Sequence, residues 1–201
     1  METGLSRAVT LLVGLCAAVS GQVIEFESNG LKYQTLTKRG VTVMFAQLPG
    51  HVREFTIVQV AVSNGSQGPY TIRPEDFSYQ REGGAEARAW PARDVVELLK
   101  EKGGRSDVIK LVSTYESALY GIPHMKVANA YEARRQAALA EVASTKLKAA
   151  AAASAIAFVQ TKLLPGESTD GAVFFASDGK PFGPGRLIVR TNTDTFEFQT
   201  Q

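Results

Sequence analysis

No proline or glycine interrupts residues Val127 to Leu163, and Ala, Glu, Arg, Gln, Lys and Leu dominate them. Residues of these types lose little freedom on entering a helix, so the reading is one continuous helix, about 55 Å long at 1.5 Å per residue. That exceeds the width of a small domain. Strand-like sequence lies on both sides of it, Leu31 to Trp90 and Gly171 to Gln201. Neither part holds enough strands to stand alone comfortably, so the two are expected to fold together past the helix. Val127, Tyr131, Ala138, Val142, Ala149, Ile156, Val159 and Leu163 recur at helical spacing, a narrow seam suited to lying on another surface. Within it, Ala149 to Val159 is apolar all round except for Ser154. It reads as an end packed on the β part, the alternative being a membrane-dipping or helix-pairing segment.

The first residues carry Arg7, then an apolar run from Ala8 to Val19, then Ser20-Gly21. This is the order of a secretory signal, and the run is too short to span a bilayer. Removal after Ser20 or Gly21 is expected, which makes residues 1–21 a signal peptide. Cys16, the only cysteine, lies inside the run; bulky Leu15 before it fits a lipoprotein signal poorly. Without Cys16 the mature chain has no disulfide and no thiolate site. An export signal without a disulfide framework suits a bacterial envelope, periplasmic or extracellular. The formal net charge is +2, and the charges alternate in sign, as in Lys100-Glu101-Lys102. Nucleic-acid binding requires a concentrated basic face, which this pattern lacks.

Residues Gln22 to Gly30 read as a polar lead-in ending in an Asn29-Gly30 turn. Strands are then expected around Leu31 to Thr35, Val41 to Leu48, Glu54 to Val62, Tyr70 to Arg73, Asp76 to Gln80 and Ala87 to Trp90. In the third, Phe55, Ile57, Gln59 and Ala61 face one way; Thr56, Val58, Val60 and Val62 face the other. Beyond Pro91 the period becomes helical. Asp94 and Glu97 form a capping box for a helix stopped by Gly103-Gly104, and Ser106 caps a second helix to Tyr120. After Pro165 come Ala172 to Ala176, then a closing hairpin of Arg186 to Arg190 and Thr195 to Gln199. Seven to nine short strands separated by turns make an antiparallel sandwich.

Three pieces carry a resemblance: Phe55 to Asn64, an alternating strand closing on Asn; Arg73-Pro74-Glu75-Asp76-Phe77; and Leu164-Pro165-Gly166-Glu167 leading into Gly171 to Phe175. Together they resemble the immunoglobulin-like β-sandwiches of bacterial exported proteins, many of uncharacterised function. The resemblance implies an α+β chain in which residues 22–201 form a single immunoglobulin-like sandwich domain, with strands in 31–90 and 171–201. A helical insertion over 94–163, ending in the long Ala-rich helix, departs from the family pattern. The family has no common catalytic residues, so the resemblance implies fold and compartment but no chemistry.

The residues supply little chemistry of their own. His51 and His124 sit in turns; with Met44 and Met125 they offer soft ligands for Cu(I), but without a repeated spacing. No Gly-x-Ser-x-Gly and no phosphate loop occurs, and Glu75-Asp76 reads as a solvated pair on a turn. Asn64-Gly65-Ser66 matches a glycosylation acceptor. No catalytic, cofactor or metal residue is assigned, and no cofactor is implied. The expected function is that of a non-enzymatic exported envelope protein, a protein-interaction or structural module using its helical insertion. Its partner would be another envelope protein or a second copy, with peripheral membrane contact allowed and no transmembrane span in the mature chain. The alternative is a periplasmic small-ligand or copper-binding protein, its cleft between insertion and sandwich lined by Trp90, Tyr115, Tyr120 and Tyr131.

Overall fold

Two tight turns start the architecture. Asn29 and Gly30, and again Arg39 and Gly40, all have positive φ (51°, 74°, 46° and 82°). This backbone matches the twist of the strands that a two-residue hairpin joins. In the computed structural model, which describes residues 21–119, 131–140, 142–177 and 182–200, these turns link β1 (Ile24–Ser28), β2 (Leu31–Lys38) and β3 (Val41–Val52). They are followed by β4 (Phe55–Asn64), β5 (Tyr70–Ile72), β6 (Phe77–Arg81) and β7 (Glu86–Arg88). Four helices come next: α1 (Ala92–Lys102), α2 (Arg105–Leu119), α3 (Tyr131–Ala140) and α4 (Thr145–Ile156). The chain returns through β8 (Thr161–Leu163), β9 (Ser168–Ala176), β10 (Gly185–Arg190) and β11 (Thr195–Thr200).

The architecture is α+β, with antiparallel sheets that do not close into a barrel. One sheet has the order β1-β2-β3-β4-β9, another β11-β10-β6-β7, and β5 pairs with β8. The expected alternation of β4 holds. Val58, Val60 and Val62 pack in a core with Phe77, Leu187, Val189, Phe196 and Phe198 of the four-stranded sheet, whereas Phe55 and Ile57 pack with Val95, Leu99, Leu111, Tyr115 and the alanines of α4. The layers therefore run helices, five-stranded sheet, four-stranded sheet. β4 is buried on both faces rather than half-buried, because the helices cover the side that would otherwise meet water.

The single long helix does not form. Residues 142–144 are not helical, Ser144 is extended, and α4 starts there with Lys148 N donating to Ser144 O at 2.9 Å. Interrupting the segment lets α4 fold back on α3 and pack against α1 and α2 as well, which a straight rod cannot do. Residues 127–130 of the expected seam lie outside the described residues, and Val159 is exposed. α4 also stops well before Pro165. Phe158 N donates to Ala172 O at 2.8 Å, and its ring enters the core between the sheets against Phe77, 5.5 Å between centroids. Gly171 permits this crossing, since a Cβ there would lie 2.5 Å from Phe158 Cα. Between Ala149 and Ile156 every residue except Ala151 and Ser154 is buried, in line with the packing reading of this stretch.

Other boundaries shift for local reasons. The segment read as a lead-in contains β1, and the described strands number eleven rather than seven to nine. Pro49-Gly50-His51 is not a turn between strands, because β3 continues through it as an irregularity between Gln47 and His51. α1 begins ahead of the expected capping box: Asp94 N donates to Pro91 O (3.0 Å), Asp94 pairs with Arg93, and Glu97 pairs with Lys100. Pro91 is pre-set for a helix start, so the helix gains nearly a turn. α2 begins after Gly104 rather than Ser106, and Asp107 Oδ2 reaches back to Gly104 N at 2.8 Å. The signal-peptide segment 1–20, with Cys16, lies outside the described residues. No helix among them is long and apolar enough to cross a membrane.

Candidate functional site

A sheet edge exposes main-chain donors and acceptors, and folded proteins cover or blunt such edges. Three of the four edges of the two larger sheets are treated in this way. On β9, the carbonyls of Ala172 and Phe174 accept from Phe158 N and Trp90 N, both at 2.8 Å. On β11, side chains of β2 take the carbonyls: Lys38 Nζ donates to Thr195 O and Gln34 Nε2 to Gln199 O, each at 2.6 Å. β7 has only three residues, two of them charged, and Glu86 pairs with Arg190. This pairing holds the Glu86 carboxyl below its ordinary range, through bonds from Ser78 and then Arg190.

β1 is different. Ile24 is 61% exposed and Phe26 37%. Among the described residues, none hydrogen-bonds to the outward main chain of Ile24, Glu25, Phe26 or Glu27. The edge is nevertheless held firmly from behind: the Phe26 ring stacks on Tyr33 (5.1 Å, 8°), and the buried Tyr33 donates its hydroxyl to Ala118 O at 2.8 Å, tying the hairpin to α2. Beside β1, between β2, β3 and the end of β11, lies an open groove of about 560 Å³ whose wall includes Glu25, Glu27, Gln34 and Gln199. An exposed strand with a fixed back is a platform for another strand.

A second group of polar side chains lies between the helices and the five-stranded sheet. Tyr115, fully buried on α2, donates its hydroxyl to Asp170 of β9. Burial, and then the neighbouring Asp170 charge, push the Tyr115 phenol far above its ordinary pKa, so it holds its proton and acts as a clamp rather than a base. Tyr131 packs its ring 5.1 Å from that of Tyr115, and Arg135 pairs with Glu116 at 3.1 Å. Gln59, 2% exposed, has no hydrogen-bond partner for either amide atom among the described residues.

Of the aromatic residues expected to line one cleft, Tyr115 and Tyr131 meet and Trp90 stands apart. Trp90 packs edge-on against Phe55 (5.1 Å) and bridges to Phe174, whereas Tyr115 meets Asp170, four positions away along β9 or about 13 Å. Tyr115 and Tyr131 are core residues, and Tyr120 lies outside the described residues. Met44 is partly buried against the helix-side core and His51 sits in the irregular part of β3; His124 and Met125 lie outside the described residues. No group of three or more His, Cys, Asp or Glu able to hold a metal occurs among the described residues. Asp76 is not a free acid on a turn. Its Oδ2 accepts from Arg73 N at 2.9 Å, while burial raises its pKa. Asn64 is no exposed acceptor either: it is fully buried, with Nδ2 donating to Gly68 O (2.8 Å) and Leu163 O (3.0 Å).

The β1 edge escaped the sequence reading because its apolar residues are two and stand among acids. The signal was nonetheless present, in the strict alternation of Ile24, Glu25, Phe26 and Glu27. In comparisons with known proteins, no family model matches the chain, and neither does any curated protein or solved structure.

Proposed function

We propose that this chain is a non-enzymatic, exported interaction module of the cell envelope, an immunoglobulin-like sandwich with a helical insertion, and that it engages its partner through the β1 edge. The observation that carries this reading is that β1 alone, of the four edges of the larger sheets, is neither covered nor cut short: from Ile24 to Glu27 its outward main chain has no partner among the described residues, and Ile24 and Phe26 are exposed on it. The N-terminal order of Arg7, apolar run and small residues supports export. The helical insertion, expected to carry the contact, turns its apolar faces inward: Val95, Leu99, Leu111, Tyr115 and the alanines of α4 cover the sheet. A second reading rests on Ile109 of α2 and Leu147 of α4, exposed at 56% and 45%, which give the helical layer apolar positions of its own.

Site-specific photo-crosslinking from the native envelope separates the two. A benzophenone side chain placed at Ile24 is expected to give an adduct, and one placed at Ile109 none. Adducts from Ile109 alone move the contact to the helices, and no adduct from either position refutes the interaction module.

A further inference from the structure

Resting on the edge reading, we infer that the occupant of β1 is an extended segment of another protein in which basic and apolar residues alternate, added antiparallel to the five-stranded sheet. The two faces of the strand differ in chemistry. The register Phe26↔Tyr33 puts Phe26, and with it Ile24, on the helix side of the sheet, where Tyr33 belongs to the helix-side core. Glu25 and Glu27 lie on the opposite face, along the groove that runs toward Gln199. A strand docked on β1 therefore meets apolar surface with its even positions and carboxylates with its odd ones.

Those carboxylates remain available. Neither Glu25 nor Glu27 forms an ion pair among the described residues, although Lys32 stands directly across from Glu27. Glu25 accepts one bond, from Gln34 Nε2 at 2.6 Å. Main-chain bonds would supply affinity for any strand, and the acids select which.

The same acids argue against a second copy. Two β1 strands laid antiparallel with matching faces pair residues whose numbers differ by an even step: centred on Phe26, Glu25 meets Glu27 twice, and centred on Glu25 or Glu27, each acid meets itself. Each of these three registers, the ones that pair the middle of β1 with itself, sets like charges across from one another, which is unfavourable. A segment with Lys or Arg at those positions turns each repulsion into attraction.

The test uses the protein purified from its native cell and two short synthetic peptides, one alternating valine with lysine, the other valine with glutamate. Calorimetry gives the affinities, and amide hydrogen exchange locates the contact. The lysine peptide is expected to bind and to slow exchange at β1, with the glutamate peptide at least about tenfold weaker. The double variant E25K/E27K should reverse that preference. Equal binding of both peptides, or a preference that survives the double variant, overturns the inference while leaving β1 as an interface. Concentration-dependent self-association that slows exchange at β1 also overturns it, in favour of a second copy. If the β1 amides that point away from β2 are already protected in the free monomer, the edge is covered and both the inference and the reading beneath it fall.

Discussion

Gly171→Ala is the sharpest probe of how the helical layer joins the sheets. The added methyl would lie 2.5 Å from Phe158 Cα and 2.7 Å from Phe158 N, both main-chain atoms that no rotamer change can move aside. The chain at residues 157–158 must back away from β9, which lengthens the 2.8 Å bond from Phe158 N to Ala172 O and draws the Phe158 ring off Phe77. Overpacking of this kind costs about 1–3 kcal/mol, and a weakened buried hydrogen bond about 0.5–1.5 kcal/mol. The expected loss is about 2–4 kcal/mol, or roughly 4–16 °C in Tm for a chain of this size. Urea denaturation followed by circular dichroism measures it, with Gly68→Ala as the control because a Cβ at Gly68 meets nothing within 4 Å. Phe158→Ala alone should cost about 3–5 kcal/mol, since the ring is 1% exposed, yet it should not rescue Gly171→Ala, because the clash is with main chain. A Gly171→Ala protein within about 0.5 kcal/mol of the parent, a change typical of an inconsequential surface site, would refute the close crossing of α4 into the sandwich.

Tyr115→Phe removes the donor to buried Asp170, with an expected loss of about 1–3 kcal/mol at neutral pH by denaturant titration. The raised pKa of the Tyr115 phenol adds a pH signature: its contribution is full below about pH 10, where both states hold the proton, and stability falls as pH rises past that value because only the unfolded chain ionises there. The Phe variant should show a shallower alkaline decline, and an identical slope in both proteins would count against the buried phenol. Asp107→Ala deletes the acceptor for Gly104 N and the partner of Arg53, each 2.8 Å away, so α2 should fray at its start with about 1–3 kcal/mol lost. Faster amide exchange confined to the first turn of α2 checks this, and unchanged exchange refutes it.

Much of the β part was legible in the sequence, because strand identity is a local matter of alternation and turn chemistry. Asn29-Gly30 marks a tight turn by itself, and the two sides of β4 follow from spacing alone. The same holds for the closing hairpin, where β10 and β11 pair Arg190 with Thr195. Other features resist local reading. Alanine-rich sequence has high helix propensity wherever it stands, so nothing within residues 127–163 says that the helix must break at 142–144 or end at Ile156. The break follows from the bundle into which α3 and α4 fold. The end follows from Phe158 reaching a core lined by Phe77, a residue far away in sequence.

The candidate site divides in the same way. The alternation of Ile24, Glu25, Phe26 and Glu27 is written in the sequence, but two apolar residues among acids read as a polar lead-in until the pairing with β2 shows a strand with one apolar and one acidic face. Which edges stay open is a different kind of property, since each depends on what other elements place beside it: Trp90 and Phe158 on β9, Lys38 and Gln34 on β11. The chain by itself therefore determined most of the strands, the two faces of β4 and the Asn29-Gly30 turn, through short-range sterics and the period of its apolar residues. Only tertiary packing decided the length of the helices, the burial of β4 on both sides and the exposure of β1, because each of these depends on contacts between residues that the sequence sets far apart.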